Sequence, residues 1–320
     1  MQRRTFVTAS LATASASLIA PLQPAGAAQN LRIGVAAVYP TYSIFTAAKE
    51  LGYYSGAGLN VDIETFRGGP AAQEALAAGA LDLCSIVPTA ASLAIEKGVK
   101  EHIIALYSPP RPAGWYIVVP AASPIKTLAE LNGKTVGVTQ KGSLTDFWVQ
   151  QVAKTAGISV TTIPLGGGVE PGLRAKQVDA AILWPLGSYK GLTSGELRSL
   201  ADLESMLPAT VSEGVAASDD LITNHPDVLR RWLAATSKAL RYMQTHELWS
   251  VQFLKRYFDD PDDKTARMVV DHFINKIPVD GAMRPEWMRQ ALTLGAASGI
   301  STTLSVDRVF STAFTPVPVR

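Results

Sequence analysis

The stretch LRIGVAAVYPTYSIFTAAKELGYYSGAGLNVDI, residues 31–63, contains one complete structural unit in sequence form. Leu31 to Val35 is a short, mostly apolar run, the composition of a strand. Ser43 to Tyr54 has a helical pattern with Ser43 as a candidate N-cap. Gly56 and Gly58 break that helix, and Val61 to Phe66 alternates as a second strand. Working outward, the order repeats. Gly68-Gly69-Pro70 turns into a helix AAQEALAAG, and LDLCSIV (81–87) reads as a third, buried strand. Pro88 opens the next helix, where its missing N–H costs nothing. Lys97-Gly98 ends it, and HIIALYS (102–108) is a fourth strand. Strands and helices alternating over about 80 residues predict an α/β unit on a mainly parallel sheet.

A second unit follows the punctuated loop PPRPAG (109–114). WYIVV (115–119) is expected as the first crossing between lobes. LAELNGK (128–134) reads as a short helix and turn, TVGVT (135–139) as a strand and Ser143 to Ala156 as a helix. VTTIP (160–164), Pro171 to Gln177 and VDAAILW (178–184) give strand, helix and strand. The unit closes near Pro208, and VSEGVA (211–216) is expected as the return crossing. From His225 three helical patterns follow, 226–256, 262–275 and 285–298, the first with a break near Thr245-His246. The Thr/Ser/Pro-rich stretch 300–320 is expected as a tail laid on the surface. An internal echo links the two units. Leu76 and Asp82 in EALAAGALDL match Leu173 and Asp179 in PGLRAKQVDA, each a helix turning into a strand that starts with aspartate, although any βαβ unit can produce that pattern.

Composition narrows the function. With 320 residues, two domains can each carry a core. Hydrophobic residues at 47% and charged residues at 18% exclude a disordered or acidic-tail chain. The formal charge of +2 offers no bulk attraction for nucleic acid. The single cysteine, Cys84, excludes an internal disulfide and a cysteine-based zinc site. At the N-terminus, Arg3-Arg4, the uncharged run Phe6 to Ala20 and the small cluster Ala25-Gly26-Ala27 follow the order of an export signal. The arginine pair before Thr5-Phe6-Val7 has the twin-arginine pattern, with an ordinary secretory leader as the alternative. No cysteine follows the apolar run, so no lipoprotein anchor is expected, and no later segment reads as a membrane span.

Four stretches together resemble the periplasmic substrate-binding proteins of ABC importers, in the nitrate/sulfonate/taurine and NMT1/THI5-like group: 31–63 above, GGPAAQEALAAGALDLCSIVPTAA (68–91), LAELNGKTVGVTQKGSLTDFWVQQVAKTAGI (128–158) and LRAKQVDAAILWP (173–185). The resemblance implies a type II periplasmic binding protein fold, two α/β lobes joined by two crossing strands and closing on ligand. It implies a signal peptide over 1–27, one lobe from 28–116 plus 211–320, and a second from 117–210. It further implies a monomer in the periplasm that binds a small molecule and hands it to an inner-membrane permease with a cytoplasmic ATPase, with no cofactor and no nucleic acid.

In α/β sheets ligands gather beyond the C-terminal ends of the strands. The residues there are Tyr39 and Tyr42 after the first strand, Arg67 and Gly68 after the second, and Thr89 after the third. In the second lobe they are Ser143, Leu144 and Thr145 after Gly142, and Trp184. Trp115 lies at the crossing. Free N–H groups at a helix start, with the hydroxyls of Ser143 and Thr145, can hold an anionic or carbonyl oxygen, although Ser143 can equally cap its own helix. Tyr42 and Trp184 can wall an apolar or aromatic body. Arg67, Arg111 and Lys141 are the basic candidates for an anion, with Arg67 the foremost. His102, His225, His246 and His272 are scattered, no G-x-S-x-G elbow exists, and Cys84 reads as an inert core thiol.

The reading is a binding protein for a small organic anion or heterocycle, among sulfonates, taurine, aromatic carboxylates and pyrimidine-like rings. A ligand-sensing protein serving a membrane receptor or regulator would use the same clamp. A pyrimidine-synthesising enzyme of the same fold would need a histidine at a strand end, and none is there. Cleavage is expected after Ala27, so N-terminal sequencing of the exported protein should begin near Ala28. A cytosolic product that retains Met1 would overturn the export reading.

Overall fold

A computed structural model describes residues 28–66, 68–141, 143–259, 261–297 and 303–318. The expected leader, Arg67 and Gly142 lie outside the described residues. Among the described residues, ten strands form two sheets. They are β1 (Gln29–Val35), β2 (Leu59–Thr65), β3 (Leu83–Ile86), β4 (Glu101–Ala105), β5 (Tyr116–Pro120), β6 (Thr135–Val138), β7 (Thr161–Pro164), β8 (Ala180–Leu183), β9 (Leu197–Asp202) and β10 (Gly214–Ser218). The first sheet has the order β2-β1-β3-β10-β4 and the second β7-β6-β8-β5-β9. The orders are equivalent, position by position. In each, the fourth strand is antiparallel to both neighbours, and it is the strand the chain forms just after arriving from the other lobe. The connections themselves are the segments 106–115 and 203–213. WYIVV and VSEGVA thus do not simply hang between the lobes; four residues of the first and the last three of the second are strand embedded in the sheet each enters. β9 was not legible as a strand, because LRSLAD alternates weakly and follows Gly195.

Strand residues alternate between two apolar layers, as a period of two requires. Leu83 and Ile104 face a core with Phe45, Trp232 and Phe253, built from the helices Pro40–Glu50, Pro226–Thr245 and Glu247–Tyr257. Their neighbours Cys84 and Ile103 face the other layer, with Ala72, Leu76, Ile95 and Met288. Cys84 is buried and unpaired in the middle of its strand, where burial pushes its thiol well up in pKa; this is the inert core thiol expected. In the second lobe Val136, Val138 and Ile182 pack on Trp148 and Val152, while Ala181 and Leu183 pack on Leu173 and Val178. The long helical pattern divides at His246, as expected. The C-terminal stretch differs from expectation. Val309, Phe310 and Val317 are buried, and Phe310 bridges Ile103 on β4, so the segment covers the outer edge of the first sheet.

The aspartate echo is structural. Asp82 Oδ2 accepts a hydrogen bond from Arg32 N at 2.8 Å, in the middle of β1, and Asp179 Oδ2 accepts one from Thr135 N at 2.8 Å, at the start of β6. In each lobe the aspartate before the third strand holds the neighbouring strand in register. Thr135 N and its hydroxyl draw the Asp179 carboxyl below its ordinary range.

One buried carboxyl has an unusual setting. Glu101, 1% exposed at the start of β4, accepts from Gln73 Nε2 at 2.7 Å. Glu101 Oε1 and Gln73 Oε1 are both buried without a partner. Burial, with the charge of Asp219 added and the Gln73 bond opposing, raises Glu101 to about 7. The folded chain therefore holds this proton where the unfolded chain has released it. Stability is expected to fall as pH rises from about 4.5 to about 7 and to level off above. Glu101→Gln places a neutral amide that can face Gln73. It should flatten that part of the profile and exceed the parent at pH 8 by on the order of 2 kcal/mol, read from urea unfolding at pH 5, 6.5 and 8.

Candidate functional site

The helices that open at the C-terminal ends of β1, β2, β3 and β8 share a local feature. Their N-cap residues, Tyr39, Gly68, Val87 and Trp184, make no side-chain capping bond. Other helices, such as those after Asp202, Ser218 and Asp262, are capped by their own side chains. Three of the four uncapped helices carry proline at N1, which sets the backbone while removing a donor. The remaining first-turn N–H groups are left for water or a ligand. Thr89 sits half-buried in such a first turn, with no hydrogen bond to its hydroxyl among the described residues. The Oγ1 of Thr41, in the first turn after Tyr39, is buried and also unpartnered.

The aromatic residues converge. Tyr39 belongs to the first lobe and Trp184 to the second, and Trp115, the last residue of the outward connection, packs against the second-lobe core. The Tyr39 ring lies 6.1 Å from the ring centroids of both tryptophans and 5.6 Å from Phe273. Trp115 Nε1 donates to the Tyr39 hydroxyl at 2.9 Å. Trp184 lies 6.1 Å from Phe258, and Trp115 packs edge-on to buried Trp148 at 5.0 Å. Tyr42 stands 5.8 Å from Tyr39 and donates its hydroxyl to Glu213 Oε1. Burial, and then the nearby Glu213 charge, holds both tyrosines neutral, well above their usual pKa.

The second lobe's helix start differs. Ser143 Oγ accepts from Asp146 N at 3.4 Å, and it shares hydrogen bonds with Thr145 Oγ1 at 2.8 Å and Thr139 Oγ1 at 3.0 Å. Thr145 is buried and also accepts from Thr139 N at 3.0 Å. Ser143 therefore caps its own helix, and the Thr145 hydroxyl is committed to the loop behind it. Leu144 is half-buried against the second-lobe core. Gly68 adopts φ +98°, a left-handed conformation that favours glycine. Of the basic candidates, Arg111 donates to the carbonyls of Leu207 at 2.7 Å and Glu204 at 3.3 Å, clasping one connection to the other. Lys141 is exposed and bonds Thr162 Oγ1. Sequence reasoning missed Glu213, Phe258 and Phe273. The first is the lone charge in VSEGVA, the one signal that could have found it; the two phenylalanines sit in helical patterns that read only as core.

The lobes also touch behind the aromatic group. Tyr189, from the second-lobe helix Pro185–Thr193, is fully buried in the first-lobe core, 6.2 Å from His272. Gly114 lies against it with φ +73°, and a Cβ there would stand 2.5 Å from the Tyr189 hydroxyl, so the joint admits only glycine. Among the described residues no group of three or more His, Cys, Asp or Glu could hold a metal ion.

Two lobes with equivalent sheets, linked twice and meeting over an aromatic group, define a two-lobed solute-binding architecture. The NMT1/THI5-like family model matches residues 40–247, and the chain belongs to that family. A binding protein of Brucella abortus (strain 2308) is 27% identical over 297 residues, covering 88% of this chain and 89% of its own. The fold is similar to that of the periplasmic aliphatic sulphonate-binding protein SsuA from Escherichia coli, with TM-score 0.75, 20% identity and coverage of 89% and 92% of the two chains. It is also similar to the periplasmic nitrate-binding protein NrtA from Synechocystis PCC 6803, with TM-score 0.68, 14% identity and coverage of 88% and 86%.

Tyr39→Phe removes the hydroxyl that Trp115 meets, at a net cost of about 1 kcal/mol to the contact between lobes. Small-angle scattering of the ligand-free variant should show a larger mean radius of gyration than the parent. An unchanged radius would show that this bond does not hold the lobes together.

Proposed function

We propose that the protein is the periplasmic solute-binding component of an ABC importer. It holds a small organic molecule between its lobes and does no bond chemistry. The observation that carries this reading is the convergence of Tyr39 from one lobe with Trp115 and Trp184 from the other. Rings contributed by both walls reward a ligand only when the lobes are together, and a ligand shifts such an equilibrium by its differential affinity for the two states. The uncapped helix starts at Tyr39, Gly68, Val87 and Trp184 support an oxygen-rich end on the ligand, with Thr89 as a hydroxyl contact. The aromatic group supports an apolar or ring-bearing body. Arg67, Gly68, Ser143, Leu144 and Thr145 complete the proposed lining, with Thr145 acting through Thr139 and Ser143. Nitrate is too small to touch rings from both walls.

The closed, loaded form would be read by the membrane permease and its ATPase, and the emptied monomer released. Sulphonate binding and nitrate binding belong to proteins that share this fold.

A thermal-shift screen of sulfonates, taurine, aromatic carboxylates and pyrimidine-like rings tests the ligand class. A ligand at 100 times its dissociation constant raises stability by about 2.7 kcal/mol. For a ligand so found, Trp184→Ala should weaken binding by on the order of 2 kcal/mol or more if the ring is an anchor. Scattering at saturation should show a smaller radius of gyration. Unchanged dimensions with a saturating ligand would reject the clamp, and a shift with nitrate alone would reject the ligand class.

A further inference from the structure

We infer that Glu213 is a specificity-determining residue of this cleft, accepting an N–H or ammonium donor from the ligand through Oε2 and disfavouring simple oxyanions. The inference rests on the clamp reading above and adds what the clamp selects.

Its position is fixed by the backbone. Glu213 ends the return connection immediately before Gly214, which pairs with Ile86 at the C-terminal end of β3. Its carbonyl accepts from Ser108 Oγ at 2.9 Å, so the outward connection holds the return connection in place. The carboxyl is thus placed at the cleft end of the first sheet, beside the loop that carries Tyr39 and Tyr42. Oε1 accepts from the Tyr42 hydroxyl. Tyr42 supplies the one side-chain hydrogen bond given to this carboxyl among the described residues, yet an ionised carboxylate can accept about four.

The surroundings supply no counter-ion. From the helix Pro40–Glu50 the Tyr42 hydroxyl bonds the carboxyl and from the loop before it Tyr39 feels its charge, while Ser85 of β3 bonds Tyr42 and Ser108 of the outward connection bonds the Glu213 carbonyl. None is cationic. Arg111 in the outward connection and Lys276 in the turn Ile274–Lys276 are basic side chains that reach the return connection. Arg111 is bound to backbone carbonyls, and Lys276 pairs with Glu204. Burial raises Glu213 to about 7, against the Tyr42 hydrogen bond, and no basic group contributes. A half-buried carboxylate with a single donor is under-satisfied. Two things can relieve it, a proton or a donor brought by the ligand. An oxyanion brings neither and must bind with a proton taken up.

The sign of the pH dependence therefore reports the ligand's chemistry. A donor ligand needs ionised Glu213, so its affinity should rise by up to about tenfold per pH unit below 7 and level off above. An oxyanion's affinity should fall as pH rises through 7.

The experiment uses matched probes at pH 5.5, 6.5, 7.5 and 8.5: taurine against ethanesulfonate, 4-aminobenzylamine against toluene-4-sulfonate, and nitrate. The expected result is that the amine-bearing member of a pair binds more tightly, with the rising profile in the parent protein. Glu213→Gln should lose at least tenfold in affinity for that probe and lose the pH dependence. Glu213→Asp, which keeps the charge, should keep the rising profile. The parent's own profile needs no variant, so a misfolded substitution leaves the inference testable. Tighter binding of the amine-free member, a falling profile, or no binding by any amine probe overturns the inference. Binding of ethanesulfonate, toluene-4-sulfonate or nitrate with closure, and no binding of the amine probes, would overturn it while leaving the clamp standing. An amine probe that binds with the rising profile but leaves the radius of gyration unchanged would keep Glu213 and overturn the clamp.

Discussion

The hydrogen bond from Trp115 to Tyr39 is the contact on which the relation of the two lobes turns. Each sheet is complete without the other, and each has its own apolar layers. What brings their C-terminal edges together is a residue from the loop after β1 reaching an indole at the start of β5. A single such bond is worth about 1 kcal/mol net. The ring contacts around it, at 5.6 to 6.1 Å, add about 0.5–1.5 kcal/mol each. That scale is small enough for a ligand to shift. The fixed part of the joint lies behind, where Tyr189 enters the first-lobe core and Gly114 leaves no room for a side chain. One side is packed and the other is held by a few exchangeable contacts, which is the arrangement a hinge requires.

Much of the fold was legible because its signals are local. Short apolar runs bounded by turn residues give β1, β3, β6 and β8, and Pro88 marks a helix start. Even the aspartate echo was visible, though its cause was not: Asp82 and Asp179 act on a strand that lies about 45–50 residues earlier in the chain, a pairing only the sheet order reveals. β9 was hidden because its residues are half-buried and alternate poorly. The C-terminal stretch looked like a surface tail because its Thr, Ser and Pro content outweighs the few apolar residues, Val309, Phe310 and Val317, that actually seal the edge of β4.

The candidate site was legible in part, and the division follows from chemistry. Aromatic residues at strand ends advertise themselves, because a large ring in a loop needs something to lie against. Tyr39 lies against Trp115 and Trp184, while Tyr42, expected at the cleft, touches Tyr39 and is buried in the first-lobe core. Hydroxyls do not advertise what they bond. Ser143 and Thr145 read as ligand contacts from the same glycine-serine turn that makes them partners of each other and of Thr139. Charges mislead in a third way. Arg111 in PPRP looked available for an anion, but a guanidinium beside two connecting segments finds backbone carbonyls first.

Glu101 and Glu213 show how the same physics gives two different groups. Both lie in the first lobe, and burial brings both to about 7. Glu101 is sealed, with its one amide partner donating from Gln73 and no water reaching its free oxygen. A proton is the only relief available there, so its titration acts on the stability of the lobe alone. Glu213 has a hydroxyl partner on one oxygen, and the residue is half-buried where Glu101 is sealed. There a ligand can compete with the proton. The difference is set by position in the sheet: Glu101 begins β4 at the end away from the cleft, while Glu213 precedes β10, which runs the opposite way and so starts at the cleft end. The antiparallel strand that each lobe receives from the other is thus what can carry a residue of the connection into the site.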